Sequence, residues 1–371
     1  MAELPATAEV VVIGGGVMGT SVLYHLAAAG CTNTVLIERE TIAAGSTSKA
    51  AGGIRAQFSD ELNIRMALEN IRRYEAFGAQ FGVDIDYKQW GYLFLLTEEA
   101  LPSFRDALTL QNRLGVPSQL LTPDEALAII PQLALDEVAA ATFCPIDGYA
   151  TPETVAQAYA AAARALGATI VQGSEVESIE TTDDRVSGVV ARSGTVSAPT
   201  VVCTAGVWSP QLTAPLGLEL PVTPEKRYVW LTDEEDSLPH ELPLTIDFAS
   251  GFYFQREGSR LLFGGRVPTI DELAPDAMRR LPLLETLPIK PGWWGYYAMS
   301  PDHNAIVGAA GSPQGLLYAT GFSGHGFQQA PVIGDYLAHL AIGKEPPFDL
   351  SPLSVGRFSD GYAISGEAHV V

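Results

Sequence analysis

The chain has 371 residues, 47% of them hydrophobic and 18% charged, with a formal net charge of −21. This is a globular composition with apolar surface enough for a large core, and at about 100–200 residues per domain the length suggests two domains. The acidity excludes a protein that grips a phosphate backbone through Lys and Arg, or one that docks on an anionic membrane surface.

The first ten residues carry neither the basic region nor the apolar stretch of a signal peptide, and no run reaches the roughly 18 apolar residues needed to span a bilayer. Residues 10–13 (Val-Val-Val-Ile) form the continuous apolar run of a buried parallel strand. Gly14-Gly15-Gly16-Val17-Met18-Gly19 follows at once, residues 20–29 read as a helix stopped by Gly30, and a second apolar run at 34–37 ends in Glu38. This is a βαβ unit.

Residues 41–58 read as a loop of small side chains and 60–81 as a helix. A strand-like piece at 92–96 precedes helices near 98–114 and 123–130, the latter with Thr122 as N-cap and Pro123 at its first position. An Ala-rich helix at 154–166 leads into strand-like runs at 168–172, 176–179, 186–191 and 200–206. Residues 221–299 look like a β-rich insert with strands at 226–231, 251–256 and 260–264. The pattern then returns to a strand at 316–320, a glycine-rich turn at 321–326 and a helix from about 328 to 340. Pro-rich spans at 210–224 and 345–352 read as connections. Cys31, Cys144 and Cys203 are an odd number set far apart, with neither disulfide framework nor metal-ligand spacing, and read as small buried residues. No metal site is expected, and a reduced, cytoplasmic setting is.

The predicted fold is α/β (α+β overall). A Rossmann-like domain assembled from residues 1–83, 145–220 and 300–371 is interrupted by a β-rich domain from 84–144 and 221–299.

Gly14-x-Gly16-x-x-Gly19 gains weight from its context: it follows a buried strand, opens a helix, and has Glu38 at the end of the next strand. The glycines permit a tight turn and close approach of a pyrophosphate to the helix N-terminus, whose unpaired N–H groups attract anions. Glu38 can accept hydrogen bonds from ribose hydroxyls and would repel a 2′-phosphate. The motif by itself does not separate NAD from FAD.

Four further segments carry a resemblance. They are residues 45–55 (Gly-Ser-Thr-Ser-Lys-Ala-Ala-Gly-Gly-Ile-Arg), Ala205-Gly206-Val207-Trp208, Pro301-Asp302-His303-Asn304, and Ala319-Thr320-Gly321-Phe322-Ser323-Gly324-His325-Gly326-Phe327, the last followed later by Phe348-Asp349-Leu350-Ser351-Pro352. With the βαβ start they resemble the FAD-dependent amine and amino-acid oxidoreductases of the D-amino-acid oxidase superfamily, in particular the sarcosine oxidase and dye-linked proline dehydrogenase branch. The resemblance runs over nearly the whole chain.

It implies an FAD site made of Gly14, Gly16, Val17, Met18, Gly19, Glu38 and Arg39, the loop Ser46, Thr47, Ser48, Lys49, Ala51, Gly52, Gly53 and Ile54, then Val176 against adenine, Ala205, Gly206 and Trp208, and finally Gly321, Gly324, His325, Gly326, Phe327 and Gln328. Relatives with covalent FAD use a Cys or a His at positions that match Tyr297 and Lys49 here, so the FAD is expected to be non-covalent.

On the substrate side the resemblance implies that Arg55 holds a carboxylate, the alternative being a structural arginine. Gln328 stands where sarcosine oxidases have a lysine, so simple sarcosine specificity is not expected. Arg266 is a substitute cation or, equally, a surface arginine at a strand end. Tyr253 is a pocket wall or sheet core, and His325 packs beside the flavin. Leu262 matches the position of an oxygen-activating lysine, and Met299 that of an aromatic pocket residue.

The expected activity is oxidation of the C–N bond of a small, secondary amine or amino acid by hydride transfer to flavin N5, giving an imine that hydrolyses. Electrons would pass to oxygen or another acceptor. A glycine-oxidase-like primary amine oxidase and the flavin subunit of a hetero-oligomeric dehydrogenase, with a partner subunit, are the two alternatives.

Overall fold

The computed structural model describes residues 3–359 and 366–370. Its six-stranded sheet has Val10–Ile13 near its middle. That strand pairs in parallel with Thr34–Glu38 on one side and Thr200–Cys203 on the other. Thr169–Gln172 extends the sheet beyond the first neighbour, and Leu316–Thr320 beyond the second. Ile306–Ala309 closes an edge in antiparallel fashion.

The middles of these strands are apolar because both faces are covered, with polar residues such as Thr34, Glu38, Thr169 and Gln172 only at their ends. Val10, Val12, Leu36 and Val202 pack against the helices Val17–Ala28, Pro152–Ala165 and Gly326–Ala341. The alternate residues Val11, Ile13, Val35 and Val201 pack on a small antiparallel sheet of Val176–Thr182, Arg185–Ala191 and Gly194–Ser197.

A second sheet has eight strands. Its order is Ile289–Met299, Thr223–Thr232, Arg260–Gly265, Tyr253–Glu257, Leu244–Asp247, Tyr92–Leu96, Ala140–Cys144 and Gln119–Leu121. Leu93 and Leu95 face a core shared with Phe252, Phe254, Phe263 and the helix Ile270–Arg280. Tyr92, Phe94 and Leu96 face Phe104 of the helix Leu101–Arg113.

Several elements differ from the sequence expectation. The helices after the two glycine-rich turns begin at Val17 and Gly326, earlier than expected, because the motif residues themselves make the first turn. The helix Ile270–Arg280 was hidden in the β-rich insert; Thr269 caps it by accepting from the Glu272 N–H, with Asp271 and Glu272 in its first turn and Arg279 and Arg280 in its last. The small-residue loop contains a 3₁₀ turn, Ser46–Lys49, and a short strand, Gly53–Ile54, paired with Gly148–Tyr149. The span 210–224 holds most of a short helix, Ser209–Thr213. Cys31 is only half-buried and its thiol donates to Glu9, whereas Cys144 and Cys203 are buried. Among the described residues no helix is long and apolar enough to cross a membrane.

Candidate active site

One long cleft runs over the carboxyl ends of the central parallel strands, with the strand Ile289–Met299 of the second sheet as its far wall. Its first wall is built from glycines for a steric reason. Gly14 has φ +103°, and a Cβ on it would lie 2.7 Å from the Thr204 carbonyl oxygen; a Cβ on Gly19 would lie 1.9 Å from the Gly14 oxygen. Gly19 therefore does not line the cleft but lets helix and strand touch. Gly16 caps the helix without a side-chain bond, and Val17 N–H donates to Thr47 Oγ1 at 3.0 Å. The Glu38 carboxylate accepts from Gly15 N–H at 2.6 Å and Glu40 N–H at 2.8 Å, which fixes it at the cleft edge with lone pairs to spare. The Arg39 guanidinium lies 3.7 Å over the Trp208 ring.

Of the predicted cofactor residues, Gly14, Gly16, Val17, Met18, Glu38, Arg39, Ser46, Thr47, Lys49, Ala51, Val176, Ala205, Gly206, Trp208, Gly324, Gly326 and Phe327 all line this cleft. Ser46 Oγ donates to the Tyr296 carbonyl at 2.7 Å and Trp293 Nε1 to the Lys49 carbonyl at 3.0 Å, so the small-residue loop is tied to the far wall.

Other predicted residues lie behind the lining. Ser48 faces a neighbouring hollow beside Glu153 and Trp293. Gly52 and Gly53 approach Ala150 and the Tyr92 hydroxyl too closely for any side chain, and Ile54 is buried core. Gly321 packs on Ile306 and Ser300. Leu262 and Met299 are not on the lining either. Leu262 is buried, two residues along the strand from Gly264 and so on the sheet face that carries the cleft residues Val229 and Tyr253.

Just beyond the cleft lies a buried polar cluster. Arg55 is 4% exposed. Its backbone N–H donates to Gln328 Oε1 at 2.8 Å, so Gln328 positions the arginine rather than pointing into the cleft. The guanidinium donates to the Gln57 carbonyl, to the His369 carbonyl at 2.8 Å and to His325 Nε2 at 3.1 Å, and it lies 4.2 Å over Phe58. A guanidinium cannot accept, so His325 is the acceptor at Nε2. Burial and the adjacent Arg55 hold the His325 pKa well below the usual value, so the ring is neutral. Among the described residues the hydrogen-bond partners of Arg55 are all neutral, and the buried carboxyls Asp147 and Glu367 lie within reach of its charge without bonding to it. Asp147 supports the same loop from below, accepting from Ala56 N–H at 2.7 Å and Gln57 Nε2 at 3.1 Å; burial pushes its carboxyl up to about 6.

Tyr253 is a cleft wall, and burial raises its hydroxyl pKa well above the usual value. Arg266 is an exposed residue directly after the strand Arg260–Gly265, with Nη2 donating to the Val370 carbonyl at 2.9 Å.

Arg227 is a cleft residue that no sequence pattern marked: it lies opposite Gly295 with its guanidinium 5.2 Å from the Tyr297 ring. Its signal, a glycine across from a cation, exists only once the two strands are paired. Tyr296 and Tyr297 are cleft walls as well, whereas Trp294 of the same aromatic run is exposed beside Lys226.

The residues present fit a dinucleotide flavin. The glycine cradle admits backbone but no side chain, Glu38 offers acceptors for a ribose, and the uncapped N-terminus of Gly326–Ala341 opens on the cleft where a ring carbonyl would gain from its positive end.

Comparison with known proteins agrees. The family model described as DAO, FAD dependent oxidoreductase, matches residues 9–340. The chain is 32% identical to FAD-dependent oxidoreductase domain-containing protein 1 of Xenopus laevis, over 95% of this chain and 83% of that one. It is 29% identical to the human mitochondrial sarcosine dehydrogenase, over 96% of this chain but only 42% of that longer protein. The crystal structure of L-proline dehydrogenase from P. horikoshii superposes with a TM-score of 0.90 at 32% identity, covering 96% of this chain and 99% of that one. The chain belongs to the DAO family of FAD-dependent oxidoreductases.

Proposed function

We propose that this enzyme oxidises the C–N bond of a small secondary amino acid, with FAD held non-covalently in the cleft. The observation that carries the reading is Arg55: a buried cation whose hydrogen-bond partners among the described residues are neutral, beside His325 at the head of the helix whose first residues line the cleft. A fixed cation in a poorly hydrated place favours an anionic substrate group, here the carboxylate. Sarcosine and proline, named in two of the relatives, both join a carboxylate to a secondary amine.

When bound, FAD supplies a two-electron acceptor, taking hydride at N5. The chain's own residues supply orientation and exclusion of water. Arg55 anchors the carboxylate from behind the lining, while Tyr253, Tyr297 and Phe327 wall the cleft itself. His325 is not the base, because its Nε2 lone pair is engaged by Arg55 and its pKa is depressed. Buried aromatic walls and the nearby Arg227 both disfavour an ammonium, so the amine enters neutral. Glu38 and the glycine cradle hold the nucleotide half. The flavin domain is assigned to residues 1–83, 145–220 and 300–371, and the substrate domain to 84–144 and 221–299.

The test is anaerobic bleaching of the flavin against secondary and primary amino acids, followed by admission of air. Bleaching by secondary amino acids supports the reading; bleaching by primary ones alone overturns it in favour of a glycine-oxidase-like enzyme. Reoxidation in air separates an oxidase from a dehydrogenase that needs another acceptor or a partner subunit. Acid precipitation should leave a colourless pellet; a yellow one would mean that the flavin is attached.

A further inference from the structure

Both arginines that sequence reasoning offered to a substrate carboxylate are engaged by one short segment of the chain itself. Residues 366–370 are laid beside the polar cluster. Glu367 N–H donates to the Asp302 carbonyl at 3.0 Å. The Glu367 carboxylate is 2% exposed and accepts from Ser59 N–H at 3.0 Å, Ser59 Oγ at 2.9 Å and His369 N–H at 2.9 Å. Ala368 N–H donates to Ser59 Oγ at 3.1 Å. The His369 ring stacks on Phe104 with centroids 3.7 Å apart. The His369 carbonyl then accepts from Arg55 Nη2 at 2.8 Å, and the Val370 carbonyl from Arg266 Nη2 at 2.9 Å.

The arithmetic of the guanidinium makes this consequential. Nη2 of Arg55 has two hydrogens, and both are committed, one to His325 Nε2 and one to the His369 carbonyl. A carboxylate can fork onto a guanidinium end-on, across Nη1 and Nη2, or side-on, across Nε and Nη2. Each geometry needs a hydrogen of Nη2. His325 cannot readily yield it, because it heads the helix Gly326–Ala341, its N–H donates to the Phe322 carbonyl, and its ring sits edge-on against Phe58. The His369 carbonyl is the partner that can leave, and a carboxylate is the stronger acceptor for a cation.

We propose that residues 366–370 form a strap that competes with substrate for Arg55: a carboxylate binds bidentately only as the His369 carbonyl withdraws. This rests on the assignment of the substrate carboxylate to Arg55. It also places Asp302, for which the sequence suggested no role. Arg357 grips the Asp302 carboxylate at 2.8 and 3.0 Å, and the Asp302 carbonyl anchors the strap. The strap therefore lowers apparent affinity for carboxylates by the fraction of molecules in which it is released.

The experiment uses the FAD-loaded enzyme and propionate, a carboxylate without an amine, with propionamide as the uncharged control. Binding is followed by calorimetry, and amide exchange of residues 366–370 by mass spectrometry. Saturating propionate should speed exchange at Ala368 and His369, and propionamide should not. A chain ending at Ser365 should bind propionate about tenfold more tightly than the full chain. Unchanged or slower exchange at saturating propionate overturns the strap, and this measurement decides alone if the shortened chain does not fold. Arg55→Met separates the two failures. If it binds propionate as tightly as its parent, the carboxylate lies elsewhere and the assignment falls with the strap. If it loses propionate while exchange in the parent stays flat, the assignment stands and the strap falls.

Discussion

The glycine wall of the cleft, proposed to hold the nucleotide, and the polar cluster behind the cleft, proposed to hold the substrate, are built in opposite ways. The first is made of backbone: glycines that admit a close approach, a helix N-terminus, and one carboxylate held by two main-chain N–H groups. The second is made of side chains brought from far apart, with Arg55 meeting His325, Gln328 and His369 across more than 270 positions in two of these contacts. Backbone recognition demands a particular residue at a particular place in a contiguous stretch. Side-chain recognition demands only that some cation, from some segment, reach the right point. The first should be intolerant of any added atom, and the second should respond in proportion to the charge removed.

The largest effects, of similar size, are expected at Gly19 and Arg55. In Gly19→Ala the new methyl would overlap the Gly14 carbonyl, forcing helix and strand apart, and overpacking on this scale should cost FAD affinity roughly a hundredfold. The flavin-to-protein ratio after purification reads this directly. A fully loaded variant would show that close approach is not what the nucleotide side depends on.

At Arg55 the loss should be large but confined to substrate. Arg55→Ala removes charge-assisted hydrogen bonds worth about 1.5–3 kcal/mol each, so KM for a carboxylate substrate should rise about a hundredfold while FAD stays bound. Steady-state kinetics on the holoenzyme check this, and an unchanged KM would leave Arg55 with a structural role only.

Asp147 tests what supports that arginine. A carboxyl whose pKa is raised on folding, here from 3.8 to about 6, binds its proton more tightly in the folded state. Its contribution is favourable at low pH and is lost as pH rises from about 4 to about 6, a change of about 3 kcal/mol. Asp147→Asn does not titrate, so the stability of the parent minus that of the variant should fall by about that amount over this range. Chemical unfolding at a series of pH values measures it; parallel curves would mean that the carboxyl titrates normally.

The smallest effect belongs far from both sides. Thr122 and Glu125 form a capping box, with Glu125 N–H donating to Thr122 Oγ1 at 3.3 Å and Thr122 N–H to Glu125 Oε2 at 2.7 Å. Thr122→Ala should cost about 1 kcal/mol of stability and leave kcat/KM unchanged. A change in kcat/KM would show that the second sheet transmits strain to the cleft.

The same division explains what was legible in the sequence. The βαβ start, the Thr122 cap and the buried parallel strands follow from local pattern, and they stand where that pattern puts them. The helices start at Val17 and Gly326, ahead of the apolar periodicity, because glycine suppresses helix propensity even where it makes the first turn. The helix Ile270–Arg280 was obscured by Pro275 within it and by strands on either side. Arg55 could be found through a contiguous motif, although its surroundings could not. Arg227, Asp147 and the strap could not be found, since each gains meaning only from a partner distant in the chain.

The central claim is that a carboxylate on Arg55 carries the amine to the flavin. The most direct measurement compares anaerobic flavin bleaching by proline with bleaching by prolinamide, in the parent enzyme and in Arg55→Met. Proline should bleach the flavin fast and the amide far more slowly, with no preference between them in the variant. Equal rates for acid and amide in the parent enzyme would contradict that claim.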